Sequence, residues 1–306
     1  MPLYMGPPGG VVSVAWFDRG SLKVTPVVVG GATSTLVGDT IQSRTGVKHS
    51  VDMQWTGITW AEYNALSALI LGALGVGPLY LQVPDRVNLL SLNQAAGGDV
   101  DLNVRGFAAA TNEVGGVFGA YGTLQTTREV TPQYGQTCVK WTPTASTVAN
   151  GTPILRLQRG TAFKPKYGVC IVPGMKYSAG IHVRSAGAWT GKTIAVGIAW
   201  MDAAGAQISV TTGTAAAPTT AWANFTMINA TPPGNAVYAR VTVVYVSGGT
   251  AVLPNALYYD KAILAQGTVL PAWEPGGGAL RVWGGGLNYT APNPRQLIAT
   301  ASFQEA

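Results

Sequence analysis

The stretch AGAWTGKT, residues 186 to 193, fits a relaxed phosphate-binding loop pattern: an alanine, four residues, then Gly-Lys-Thr. That chemistry needs a strand before the loop and a helix after it, so that backbone amides and a helix N-terminus meet the phosphates together. Here Ile194, Val196, Ile198 and Trp200 alternate with Thr193, Ala195, Gly197 and Ala199, which is the period of a strand. The expectation is a hairpin turn. The two histidines, His49 and His182, carry no better case for catalysis. His49 sits on the apolar side of an alternating strand and reads as a hydrogen-bonded packing residue. His182 lies between Ile181 and Val183 and so shares the outer face of its strand with Arg184. No serine occupies a Gly-x-Ser-x-Gly elbow, and among 13 acidic residues no carboxylate pair stands out for glycoside hydrolysis. Cys138 and Cys170 are the only cysteines and form no CxxC or Cys/His cluster, which leaves metal and redox chemistry without a ligand set. Two buried reduced thiols are expected, with a disulfide as the alternative. The glycosylation patterns at Asn224, Asn229 and Asn288 are what a chain rich in Asn and Thr shows by chance. The protein reads as a non-enzyme.

The elements around these residues are mostly strands. Val47, His49, Val51, Met53 and Trp55 alternate with Lys48, Ser50, Asp52, Gln54 and Thr56. Thr59-Trp60-Ala61-Glu62 then forms a capping box. Trp60, Tyr63, Leu66, Leu69, Ile70 and Leu74 follow at helical spacing, so a helix is expected over residues 60 to 74, closed by Gly72 or Gly75. PLYLQVP returns to a strand. From about Asn88 to Glu274 only strands and turns are expected: TCVKW, PILRL, KYSAGIHVRS, TIAVGIAWMD, WANFTMI, YARVTVVYV and LYYDKAILA. Seven or eight short strands separated by Gly, Pro and Asp describe an antiparallel jelly-roll sandwich.

Strand-like sequence starts again after the glycines at 276 to 278, as ALRVWGG, LNYTAP and QLIATASF, with Leu297, Ala299, Ala301 and Phe303 on one face. So short a segment cannot bury its own core. Ordering it costs about 30 to 60 kcal/mol at about 1 to 2 kcal/mol per residue, so something already folded must receive it. Residues 1–87 and 279–306 are therefore expected to form one domain, with residues 88–278 inserted into it.

Composition narrows the setting. Only 10% of the 306 residues are charged while 47% are apolar, a surface that suits a subunit buried among neighbours. The formal charge is +6, but basic residues are scattered singly without aromatic interleaving, so no nucleic-acid partner is expected. MPLYMGPPGG has no basic n-region or apolar stretch, and export by a secretion signal is not expected. Residues 64 to 81 are apolar, but Gly72, Gly75, Gly77 and Pro78 interrupt them, so no membrane span is expected.

The middle region resembles the jelly-roll carbohydrate-binding modules attached to glycan-active enzymes and phage proteins. NLLSLN at 88, VPGMKYSAGIHVRS at 172, WMDAAGAQIS at 200, WANFTMINATPPGNAVYARVTV at 222 and LYYDKAILAQGTVLPAWEPG at 257 carry that resemblance. The outer segments resemble minor tail proteins, including distal tail proteins, of phages with long non-contractile tails that infect actinobacteria. The matching residues are Trp60, Glu62 and Leu66, then Gly77-Pro78-Leu79-Tyr80, Asp85, Asn88 and Glu305. The resemblance implies a mainly β chain, in which a split tail-tube-like β-barrel or sandwich domain with one α-helix is interrupted by the jelly roll. It implies a structural subunit of a virion tail tip, assembled in the host cytoplasm. Its expected partners are copies of itself in a ring, as a hexamer or else a trimer, together with neighbouring tail-tube and tail-tip proteins and host cell-wall glycans. Related modules often hold calcium between acidic residues of the first and last strands. Asp260 stands at the last-strand position, but NLLSLN supplies no partner carboxylate, so no metal or cofactor is expected. Sugar recognition in such folds stacks aromatics on pyranose faces while polar groups fix hydroxyls. Trp200 alternates with core residues and reads as packing. His182, Arg184 and Arg240 are the candidate glycan-binding face. A free carbohydrate-binding protein, or an accessory module of a glycan-active enzyme, is the alternative reading, and an insert acting as a spacer without ligand is a third.

Overall fold

The computed structural model describes residues 3–14, 17–34, 40–73, 77–84, 86–97, 112–247, 249–293 and 295–306. The chain is mainly β and divides into two compact units, Met1–Gln82 with Leu280–Ala306, and Val83–Ala279.

The first unit contains β1 (Tyr4–Gly6), β2 (Val12–Ser13), β3 (Lys23–Ser34), β4 (Thr40–Ile58), α1 (Trp60–Ile70) and β5 (Leu79–Gln82). After the insert come β6 to β19, given below, and the chain returns to this unit as β20 (Ala279–Asn293) and β21 (Gln296–Glu305). The sheet order is β2-β1-β5-β20-β21-β4-β3. The returning strands thus sit in the middle of the sheet, between β5 and β4. Register brings Phe303 opposite Val51 and Ala301 opposite Met53, and Leu297, Ala299, Ala301 and Phe303 are all buried. Glu305 Oε2 accepts from the His49 backbone N–H at 2.9 Å and lies 2.6 Å from His49 Nδ1, so His49 is a packing residue that ties β4 to β21. In α1, Thr59 and Glu62 close the capping box, with 2.8 Å from the Thr59 N–H to Glu62 Oε2. The helix ends at Ile70, four residues before the expected 74, and Gly72 takes a φ of 79° just beyond it. Leu74 and Gly75, like Asp85, lie outside the described residues. Gly284 is glycine for a steric reason: a Cβ there would meet Ile70 O at 2.7 Å.

The second unit opens with a helix where only strands and turns were expected. α2 (Leu92–Ala95) is one turn closed by a Ser91–Gln94 capping box, a signal present in SLNQ. Its early strands are β6 (Glu113–Val114), β7 (Val117–Gly119), β8 (Gly122–Thr127), β9 (Cys138–Pro143), β10 (Thr147–Val148), β11 (Pro153–Arg156) and β12 (Val169–Cys170). The later ones are β13 (Tyr177–Ser185), β14 (Ile194–Met201), β15 (Gln207–Thr212), β16 (Ala223–Ala230), β17 (Tyr238–Tyr245), β18 (Ala251–Val252) and β19 (Leu257–Gln266). One sheet runs β16-β13-β19-β9-β8, and the other runs β15-β14-β17-β11-β7-β6 with β12 also beside β17. Trp141, Tyr177, Val183, Ile198, Trp200, Val241 and Tyr259 fill the core between them. Residues 186 to 193 correct the hairpin expectation: β13 and β14 belong to different sheets, so the Gly-Lys-Thr segment is a crossover turn, with Lys192 N–H donating to Trp189 O at 2.9 Å. Cys138 and Cys170 are buried and are not joined in a disulfide.

A clasp joins the start and end of this unit. Asn88, fully buried, donates from Nδ2 to Ala262 O (3.0 Å) and Glu274 O (2.9 Å), and its Oδ1 accepts from the Leu90 and Leu264 N–H groups (3.2 Å each). Glu274 in turn accepts from the Val87 and Asn88 amides. The Val83 N–H reaches Gly278 O at 2.7 Å, so Val83, Pro84, Arg86 and Val87, expected in the outer domain, group with the insert.

Candidate functional site

Alternation along β13 puts Ile181 and Val183 in the core and turns His182 and Arg184 to the outer face of the five-stranded sheet. Both are half-buried. His182 stands opposite Asn224 of β16 and Asp260 of β19, and Arg184 opposite Tyr258. His182 Nδ1 and Arg184 Nε are buried without a hydrogen-bond partner. Burial, helped by the charge of Lys261, lowers the His182 pKa, so the imidazole is neutral at pH 7. Arg184 acts electrostatically on Cys138 and Tyr258, and no carboxylate pairs with it among the described residues.

Around this pair the face is polar and well tied. Lys140 Nζ meets Glu129 at 2.6 Å, and the Tyr258 hydroxyl donates to the same carboxylate at 3.0 Å. The Lys140 contact leads in holding the Glu129 pKa down, while burial first and Glu129 second push Tyr258 up to about 12. Burial also pushes the Cys138 thiol up to about 12, so it is not a nucleophile at neutral pH. Asp260 fastens the segment between β8 and β9 onto the sheet: Oδ2 accepts from Gln133 N–H (2.6 Å) and Tyr134 N–H (2.9 Å), and Oδ1 from Lys261 N–H (2.7 Å). Burial outweighs these amides and pushes its pKa up to about 6. Both Asp260 oxygens are thus engaged by backbone amides, and no group of three His, Cys, Asp or Glu gathers among the described residues.

Aromatic residues that sequence reasoning passed over flank this sheet. Tyr134 packs on Trp273 at 4.7 Å between ring centroids, and Lys261 Nζ lies 5.5 Å from the Trp273 ring. Trp222 Nε1 donates to Thr131 O at 2.8 Å. The signal for Tyr134 and Trp273 was an aromatic in a turn context, TPQYG and AWEPG, whereas Trp222 opens the expected strand WANFTMI. Trp200 is a core residue whose Nε1 donates to Thr211 Oγ1 at 2.9 Å.

Arg240 does not belong to this face. It lies on β17, in the opposite sheet, with only 4% of its surface exposed, so its expected position on an exposed face is corrected. Its Nη2 donates to Gln207 Oε1 at 2.8 Å and its Nη1 to Gln158 Oε1, and Phe163 lies 5.9 Å from the guanidinium. Alternation predicted correctly that Arg240 points away from the core. It could not show that the segment between β11 and β12 folds over that side.

No known protein family matches the sequence, and no curated protein does. Among solved structures, the chain is similar to the C-terminal family 22 carbohydrate-binding module of Clostridium thermocellum Xyn10B, at 20% identity and a TM-score of 0.35, over 56% of this chain and 99% of that one. It is similar to the CBM22-1 xylan-binding domain of Paenibacillus barcinonensis Xyn10C at 9% identity and a TM-score of 0.35, over 53% of this chain and 100% of that one. The enzymatically active domain of bacteriophage CBA120 tailspike protein 4 matches at 14% identity and a TM-score of 0.34, over 59% of this chain and 21% of that one.

Proposed function

We propose that this protein is a non-enzymatic assembly and adhesion subunit of a phage tail tip. In this reading the split β domain joins copies of itself in a ring, a hexamer or else a trimer, between tail-tube and tail-tip neighbours. The inserted sandwich binds host-surface glycans through the sheet face of His182 and Arg184. The observation that carries the reading is the return of β20 and β21 into the sheet begun by the first 82 residues, which makes the sandwich a guest with its own core. A subunit interface is supported by Trp60 and Tyr289, 45% and 49% exposed, which stack edge-on with each other and with Tyr63 at 5.0 to 6.0 Å on α1 and β20. Exposed aromatics grouped in this way suit burial against a partner. On the sandwich, Arg184 offers a guanidinium with no carboxylate partner among the described residues and Asn224 an exposed amide, and Tyr134, Trp222 and Trp273 supply apolar faces of the kind that pyranose rings stack on. A ring would multiply weak module–sugar contacts through effective concentration.

Electron microscopy of the purified protein tests the assembly half, with closed rings expected. A glycan array read with wild type and Arg184→Ala tests the adhesion half, with binding expected only in the wild type. A monomer at micromolar concentration that binds sugars would favour the alternative, a free carbohydrate-binding protein or accessory module, for which the Asn88–Glu274 clasp around a self-contained sandwich is the specific support.

A further inference from the structure

The other sheet of the sandwich carries two guanidinium groups that form no ion pair among the described residues. Arg156 ends β11, and its Cα is paired in register with Thr242 of β17, two residues along from Arg240 on the same outward side. The Nε atoms of both arginines are buried without a hydrogen-bond partner. Arg240 is satisfied at its Nη atoms only by the neutral oxygens of Gln158 and Gln207. No hydrogen bond or ion pair engages the Arg156 guanidinium among the described residues. Glu113, in the same cross-sheet row but two strands from Arg156, accepts from the Gly160 N–H at 2.9 Å. A charge taken out of water without a partner is costly, and two like charges in mutual range make it more so.

We propose that Arg156, with Arg240 behind it, binds an oxyanion carried on a sugar, the carboxylate of a hexuronate or a sugar phosphate, at a site separate from the His182–Arg184 face. The fork of Arg156 is the donor that ligand meets, because its residue is half-buried where Arg240 is fully buried, and planar guanidinium groups match such oxyanions bidentately. Arg240 supplies long-range positive potential from beneath. Its pKa is pushed down to about 10, by burial first and by the charge of Arg156 second, the condition an anion between them would relieve. Tyr121 provides the sugar platform. It lies within electrostatic range of Arg156, is 44% exposed, and holds a φ of 56°, a left-handed conformation that a bulky residue adopts only when its surroundings impose it.

The test is isothermal titration of the full chain with trigalacturonate, glucose 6-phosphate, inorganic phosphate and neutral cellotriose. Binding of at least one acidic sugar above cellotriose is expected, weakened by salt and reduced roughly ten- to hundredfold in Arg156→Gln, the worth of a charge-assisted hydrogen bond. Arg156→Lys keeps the charge without the fork and should retain part of the affinity. Tyr121→Ala should weaken the acidic sugars but not inorganic phosphate. In an Arg184→Ala background, on the opposite sheet, the preference for an acidic sugar over cellotriose and its loss in Arg156→Gln should both persist, so failure of the glycan reading at the His182–Arg184 face leaves this site standing. Equal binding of acidic and neutral sugars, or unchanged affinity in a folded Arg156→Gln chain, overturns the proposal. Binding of inorganic phosphate as tight as that of either acidic sugar overturns the assignment to a glycan.

Discussion

Replacing Asp260 with Asn removes a carboxylate whose fully buried side chain sits under the segment between β8 and β9. Burial raises its pKa from 3.8 to about 6, so the folded chain holds this proton more tightly than the unfolded chain does. Stability from this group is therefore complete below about pH 3.8 and is lost as pH rises through about 6. That is the reverse of an ordinary salt-bridged carboxylate. At about 1.36 kcal/mol per pH unit, the stability of wild type relative to D260N should fall by about 2 to 3 kcal/mol between pH 4 and pH 7.5. His182 works in the other direction, because its lowered pKa gives stability that is lost as pH falls. It is present in both chains, so the difference between them isolates Asp260. Urea titrations read through hydrogen exchange of β13 and β19 report on the sandwich alone. A difference that stays flat, or that grows with pH, would mean that the three amides at 2.6 to 2.9 Å outweigh burial, and the reasoning would be refuted.

Two further substitutions probe how the chain is tied together. Phe303→Ala empties a fully buried site opposite Val51 and should cost about 3 to 5 kcal/mol, seen as lost exchange protection in β4 and β21 with β13 and β14 unchanged; equal loss in both units would contradict their independence. Asn88→Ala removes the side-chain partner of the Glu274 carbonyl and of the Leu90 and Leu264 amides, and leaves the Ala262 carbonyl to Trp273 Nε1, at about 1 to 3 kcal/mol for a buried group left unpaired. A drop of about 6 °C or more in the melting temperature of the sandwich is expected, and a near-neutral result in calorimetry would show that water replaces the side chain.

Local rules and composition already decided much of this protein. Alternation, a property of each strand alone, set which way Leu297, Ala299, Ala301 and Phe303 face, and it put Ile181 and Val183 inward with His182 and Arg184 outward. The Thr59–Glu62 box fixed where α1 begins because capping is completed within four residues. Tertiary structure decided what depends on which strand lies beside which. Whether the segment at 186 to 193 turns back on its own sheet or crosses to the other is set by non-local pairing, and both outcomes have the same alternating pattern. Outward-facing was likewise not the same as exposed: Arg240 obeys alternation, but Phe163 and Gln158, about eighty residues earlier in the chain, fold over it. Its separation from His182 and Arg184 onto another sheet, and its approach to Arg156, follow from packing alone. The sequence could therefore name charged residues on outer faces, but only the assembled sheets showed which of those charges share a site and which lack a partner.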